Sequence, residues 1–175
     1  MKDAAGLIID LRFNRGGSQY AMEEIAETLF EGRVSFGTVK TRTGKMPKFL
    51  GISLIPKELI VGDDGGRVYS GPVAVLISNF SASAAEHFAA GLQESGRAKI
   101  VGQQSCGCML GIMGKTKIKG AELYVSQLDF LTARGRRLEG VGVAPDVVVA
   151  PKIEDVQAGF TAAVDVAEKL LKEIR

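Results

Sequence analysis

Tryptophan is missing from this sequence, histidine occurs once, at position 87, and cysteine twice, at positions 106 and 108. Two thiols with no second Cys or His pair make a poor zinc site. With a single residue between them, their spacing also suits a disulfide badly, so no disulfide-stapled scaffold is expected. No stretch approaches the roughly 20 apolar residues of a membrane span, and no signal-peptide pattern precedes the first strand-like run. Lysines and arginines are scattered, the net charge is +2, and no basic stripe is interleaved with aromatics, which argues against nucleic-acid binding. Internal repeats and low-complexity tracts are absent as well.

What is present is an ordinary globular composition, 46% hydrophobic and 24% charged, at a length suited to a single domain with a sizeable core. "GLIIDLR" (6–12) reads as a buried strand and "FNRGGS" (13–18) as a turn whose glycines adopt conformations other residues resist. The spacing of Ala21, Met22, Ile25 and Leu29 predicts a helix over 20–32 closed by Gly32. "VSFGTVKTR" (34–42) alternates like a strand, and residues 43–70 read as a long excursion holding one short strand pair. "GPVAVLISN" (71–79) is a clear buried strand, a helix is expected from Ser83 to about Leu92, and "AKIVG" (98–102) is another strand. Strands and turns follow, then one amphipathic helix from Ile153 to Arg175. Such alternation predicts an α/β layered fold.

The stretch "SNFSASAAEHF" (78–88) sits where an apolar strand turns tightly into a helix. That arrangement exposes a serine beside free helix N-terminal N–H groups, which can stabilise an oxyanion. Ser81 and Ser83 satisfy it equally. The same residues also fit a simple capping box, with Ser83 and Glu86 at the required spacing.

Three segments, in order, resemble the tail-specific or C-terminal processing serine proteases: "GLIIDLRFNRGGS", "GPVAVLISNFSASAAEHFAAGLQESGRAKIVG" and "LTARGRRLEGVGVAPDVVV". The resemblance implies a ClpP/crotonase-like fold of β-β-α units, with residues 1–175 forming a single protease-core domain. It also implies acyl-enzyme cleavage of peptide or protein substrates near their C-termini, with no cofactor and no metal. By position, Ser83 corresponds to the nucleophile, and Gly17 and Ala84 to the backbone donors of the oxyanion hole. Asp10, Arg12 and Asn14 are expected to hold the turn.

The family's usual general base is a lysine, and its position here is Cys108, within "GQQSCGCML". A neutral thiol is no base for a serine hydroxyl, and Lys115 and Lys117 fall in the following strand. "SCGCMLG" is more similar to the lysine-less branch typified by the tricorn core protease, whose base is a histidine preceding the first motif. The expectation is therefore a base upstream of Met1, an upstream segment and a PDZ domain lying outside this chain, and weak activity of the chain alone. Cys108 is expected to line the cleft as a free thiol. Glu86 is expected to orient the base or cap the helix, and His87, four residues after Ser83, to be a half-buried structural residue. The resemblance places the parent protein in the periplasm or cell envelope. A catalytically silent relative, binding peptides or small apolar ligands in the same cleft, is the alternative reading.

Overall fold

The structure, a computed structural model, describes residues 4–45, 48–49, 52–53, 55–62 and 68–174. The first half of the chain runs β1 (Leu7–Asp10), α1 (Gln19–Glu27), β2 (Val34–Thr41), β3 (Lys48–Phe49), β4 (Ile52–Ser53), β5 (Glu58–Val61) and β6 (Val73–Ile77). The second half runs α2 (Ala84–Glu94), β7 (Ala98–Gly102), β8 (Lys115–Ile118), β9 (Ala121–Tyr124), β10 (Leu128–Leu131), β11 (Val147–Val148), α3 (Ile153–Gln157) and α4 (Ala162–Glu173).

β1, β6, β7 and β11 form a parallel sheet in that order, and β10, β2 and β5 an antiparallel one. Every residue of β6 is buried, as a central parallel strand requires. Its alternation still matters: Val73, Val75 and Ile77 join the main core with α1 and α2, whereas Ala74 and Leu76 pack with Ala163, Ala167 and Leu171 of α4. The layers are thus α4, the parallel sheet, α1 with α2, and the antiparallel sheet, matching the expected α/β architecture.

Helix α2 is the hinge of this packing. Residues Ala85 to Leu92 are all buried, so the helix has no solvent face. Its small residues make this possible: a Cβ added at Gly91 would lie 2.4 Å from the Phe36 ring of β2. Full burial of Leu92 alone is worth roughly 1.5–3 kcal/mol.

Several boundaries differ from the sequence reading. α1 ends at Glu27 rather than Gly32, and its buried residues are Met22 and Ala26, while Ile25 stands 53% exposed. The expected C-terminal helix is broken in two. Gly159 and Phe160 both take positive φ, the Phe160 N–H donates to the Asp155 carbonyl at 2.8 Å, and the Asp155 carboxylate receives the Ala162 N–H at 2.7 Å. That turn stops α3 and starts α4. Within the 43–70 excursion, β3 and β4 form the short antiparallel pair expected there; residues 63–67, like Arg175, lie outside the described residues.

Candidate active site

Strand β6 ends at Ile77, and six residues later Ser83 stands immediately before α2. Its backbone angles, φ 56° and ψ −122°, are rare for a residue with a Cβ. Strained backbone of this kind persists only where surrounding contacts over-determine it. Here they do: the Ser83 N–H is shared between the Cys108 carbonyl at 3.1 Å and the Glu86 carboxylate at 3.0 Å. Ser83 and Glu86 form a capping box: the Glu86 carboxylate holds the Ser83 N–H, and the Ser83 hydroxyl lies toward the Glu86 N–H without meeting hydrogen-bond geometry. Among the described residues, none hydrogen-bonds to that hydroxyl.

Ser81 is different in kind. It is fully buried, its hydroxyl donates to the Leu11 carbonyl at 2.7 Å, and it accepts the Ser78 N–H at 3.0 Å. Both capacities are spent holding the β6 turn against the end of β1. The structure therefore separates two serines that local sequence left equal.

The turn after β1 lies directly on Ser83. Ala82 N–H donates to the Asn14 carbonyl at 3.1 Å, and the Asn14 side chain receives the Gly16 N–H at 2.8 Å. A Cβ on Gly16 would come within 2.6 Å of the Ser83 Cβ and 3.0 Å of the Ala84 nitrogen, so glycine is required there for close approach. Gly17, at φ 143°, faces open space. Neither the Gly17 N–H nor the Ala84 N–H, at the first residue of α2, has a hydrogen-bond partner among the described residues. A pocket of about 160 Å³ opens beside both, walled by Met22, Ile25 and Phe88. Ile25 and Ala21, two of the residues whose spacing predicts α1, border this pocket.

The turn is anchored from behind by Asp10 and Arg12. Arg12 Nε lies 2.9 Å from one Asp10 oxygen and Nη2 2.6 Å from the other, while Nη1 donates to the Phe160 carbonyl at 2.5 Å. Partial burial pushes the Asp10 carboxyl up, but the hydrogen bonds and charge of Arg12 outweigh it and hold the group below its usual value.

Glu86 is the hub that sequence reasoning valued only as a cap or an orienter of a base. Fully buried, it accepts from Ser83 N–H, from the Ser105 hydroxyl at 2.5 Å, from Gly107 N–H at 2.7 Å and from Cys108 N–H at 2.9 Å. One carboxylate thus fastens the serine turn to the 105–108 loop. Hydrogen bonding of this completeness is what lets a charged group sit in the interior.

Cys108 carries the largest correction. It is bonded to Cys106 as a disulfide, with the two Cα atoms 5.2 Å apart, inside the normal range for such bonds. Gly107, at φ 71°, gives the intervening bend that brings the ends together, which spacing alone did not reveal. There is accordingly no free thiol at the position of the family lysine.

The remaining candidates point elsewhere. His87 is fully buried with its Nε2 2.9 Å from the Phe36 carbonyl and its ring against Phe36 and Phe130. Burial lowers its pKa, outweighing the Phe36 hydrogen bond. The expected half-buried residue is thus a core residue, and Nδ1 is left without a partner. Lys115 lies in an exposed hairpin and pairs with Glu122 at 2.6 Å; Lys117 lies on the same exposed strand. Among the described residues there is no cluster able to hold a metal ion, and no helix long and apolar enough to cross a membrane.

Comparison with known proteins gives a consistent picture. The profile of peptidase family S41 matches residues 1–149. The chain is 30% identical over 153 residues to carboxyl-terminal-processing peptidase 3, chloroplastic, of Arabidopsis thaliana, covering 83% of this chain and 26% of that protein. It is 25% identical over 173 residues to the tricorn protease of Thermoplasma acidophilum, covering 97% of this chain and 14% of that one. The solved structure of the photosystem II D1 C-terminal processing protease superposes with a TM-score of 0.65 at 26% identity, covering 85% of this chain and 35% of the other. The chain therefore spans about a third or less of the length of these relatives. With the family profile covering most of its length and the strand–turn–helix around Ser83 in place, the chain belongs to peptidase family S41.

Proposed function

We propose that residues 1–175 form the protease-core domain of a serine endopeptidase that processes peptide or protein substrates near their C-termini by acyl-enzyme chemistry. The observation that carries this reading is the free Ser83 hydroxyl, on a strained backbone at the mouth of α2, beside the unpartnered N–H groups of Gly17 and Ala84. In the proposed reaction Ser83 Oγ attacks the scissile carbonyl and its proton passes to a base. The oxyanion is held by the two N–H groups and the positive end of α2. Collapse expels the amine, which takes up the proton, and water then hydrolyses the acyl-serine.

The base is the incomplete part. Cys108 is disulfide-bonded, Lys115 is paired with Glu122, and His87 is turned into the core. The chain by itself is therefore expected to hydrolyse peptides slowly, at a level set by the oxyanion donors and binding, about 10³-fold over water. A periplasmic or cell-envelope setting is part of the same proposal, and the Cys106–Cys108 disulfide supports an oxidising compartment.

Fluorophosphonate labelling followed by peptide mapping tests the assignment. Slow label on Ser83, at the low rate that the oxyanion donors alone sustain, and lost in Ser83→Ala, is the expected result. Label on Ser81 in place of Ser83 would overturn it. Rapid Ser83-dependent casein cleavage would instead place a working base within this chain.

A further inference from the structure

The carboxyl ends of β1, β6 and β7 converge on a second cavity, on the side of the parallel sheet covered by α3 and α4. Its volume is about 280 Å³, and Phe13, Phe80, Phe160, Ile77 and Val149 are among the residues that line it. In open α/β sheets, ligands gather at this end of the strands. Pockets for whole small molecules begin near about 300 Å³. The cavity has room for a single side chain.

Three features make it a built site. The rings are mutually braced: Phe13 meets Phe160 edge-on at 5.6 Å and Phe80 at 6.3 Å, with Arg15 stacked 5.7 Å over Phe80. Phe160 is one of two non-glycine residues at positive φ, the other being Ser83, among the described residues. It is pinned there by Arg12 Nη1 on its carbonyl and by its own N–H on Asp155. Finally, the amide side chains of Asn79 and Gln103 line the cavity and make no hydrogen bond among the described residues. Unspent amides beside an apolar floor suit a peptide, whose backbone offers donors and acceptors while its side chain fills the floor.

Continuity with the serine turn selects the occupant. Phe13 directly precedes Asn14, whose carbonyl receives the Ala82 N–H, and Phe80 lies three residues before Ser83. Phe13 and Phe80 remain 61% and 46% exposed, a pair of large rings facing solvent on the two loops that form the candidate active site. Three residues of chain span at most about 11 Å, so a peptide lying across Ser83 and advancing roughly 3.3 Å per residue covers the distance to Phe80 within about four residues.

Resting on the endopeptidase reading above, we propose that the Phe13–Phe80–Phe160 cavity is a substrate subsite. It accepts one aromatic or branched aliphatic side chain, a few residues from the scissile bond. Fluorescence anisotropy on the Ser83→Ala protein, which cannot turn over, tests this. The probes are short fluorescein-labelled peptides of glycine and serine in which a single phenylalanine is moved one position at a time. One position is expected to bind about tenfold more tightly than the all-polar peptide, and Phe80→Ser in the same background is expected to erase that gain. Phe13→Ser serves as a second variant, and circular dichroism checks that both fold. Equal binding of phenylalanine-containing and all-polar peptides would overturn the subsite, as would a preference that survives both substitutions. The wild-type protein separates this outcome from failure of the endopeptidase reading. If fluorophosphonate labels Ser83 but no phenylalanine preference is found, only the subsite fails; if Ser81 labels in place of Ser83, the endopeptidase reading fails.

Discussion

The cradle around Ser83 and the β8–β9 hairpin are built from opposite materials. In the cradle, Ser81 and Glu86 are fully buried and are held by partners on other segments, Leu11 for Ser81 and Ser105, Gly107 and Cys108 for Glu86. In the hairpin, all eight strand residues are exposed, and Lys115–Glu122 and Tyr124–Glu122 contacts link side chains in solvent. Comparable hydrogen-bond lengths therefore carry very different weight. A buried donor that loses its acceptor keeps its desolvation penalty, whereas an exposed one turns to water.

The sharpest way to break this contrast is Glu86→Ala. It strands the N–H groups of Gly107 and Cys108 and the Ser105 hydroxyl together, and leaves the Ser83 N–H with the Cys108 carbonyl alone. A loss of at least about 3 kcal/mol in urea unfolding is expected, with loss of fluorophosphonate labelling at Ser83. A small effect on both would mean that Glu86 does not hold the turn.

Next in size is the acid response of His87. Burial depresses its folded pKa, so the unfolded chain takes up a proton near its ordinary value of about 6.5 while the folded one does not. Stability from this group is therefore full above that value and is lost as pH falls below it. The lowered carboxyls of Asp10 and Glu94 act in the same direction at lower pH, as those groups take up protons. The unfolding midpoint should fall between about pH 7 and 5, and His87→Gln, which keeps a donor for the Phe36 carbonyl, should flatten that slope. An equal slope in both proteins would assign it elsewhere.

A smaller effect is expected from the disulfide. Thiol titration of the denatured, unreduced protein should find no free cysteine, and reduction should release both. Ser83 labelling should change only slightly on reduction, because Gly107 and Cys108 N–H groups still hold Glu86. A large loss would make the disulfide, rather than the carboxylate, the clamp. Smallest of all is Lys115→Ala, which should leave the unfolding midpoint unmoved at low and high salt alike.

Much of the frame was legible in advance. Buried strands at 6–12, 71–79 and 98–102 announce themselves as short apolar runs, and the glycine turn and the "SASAAE" turn carry their own chemistry. Helix ends were read less well. Gly32 looked like a stop signal for α1, but Thr28 had already ended the helix by bonding its hydroxyl back to the Ile25 carbonyl at 2.7 Å. The C-terminal periodicity ran unbroken through a turn that Asp155 closes with its own side chain.

The sequence by itself determined the family, the layered α/β class and the order of strand, turn and helix that puts serines at a helix mouth. Those properties are carried by residues near one another in the chain, where periodicity and turn chemistry act directly. Only the tertiary structure decided which serine stays free, because Ser81 is claimed by Leu11, seventy residues away. Docking across the sheets likewise turned His87 inward, made Glu86 a four-way anchor and gathered three phenylalanines from distant loops around one cavity. Each of these rests on which surfaces meet when the layers close, and spacing along a chain holds no record of that.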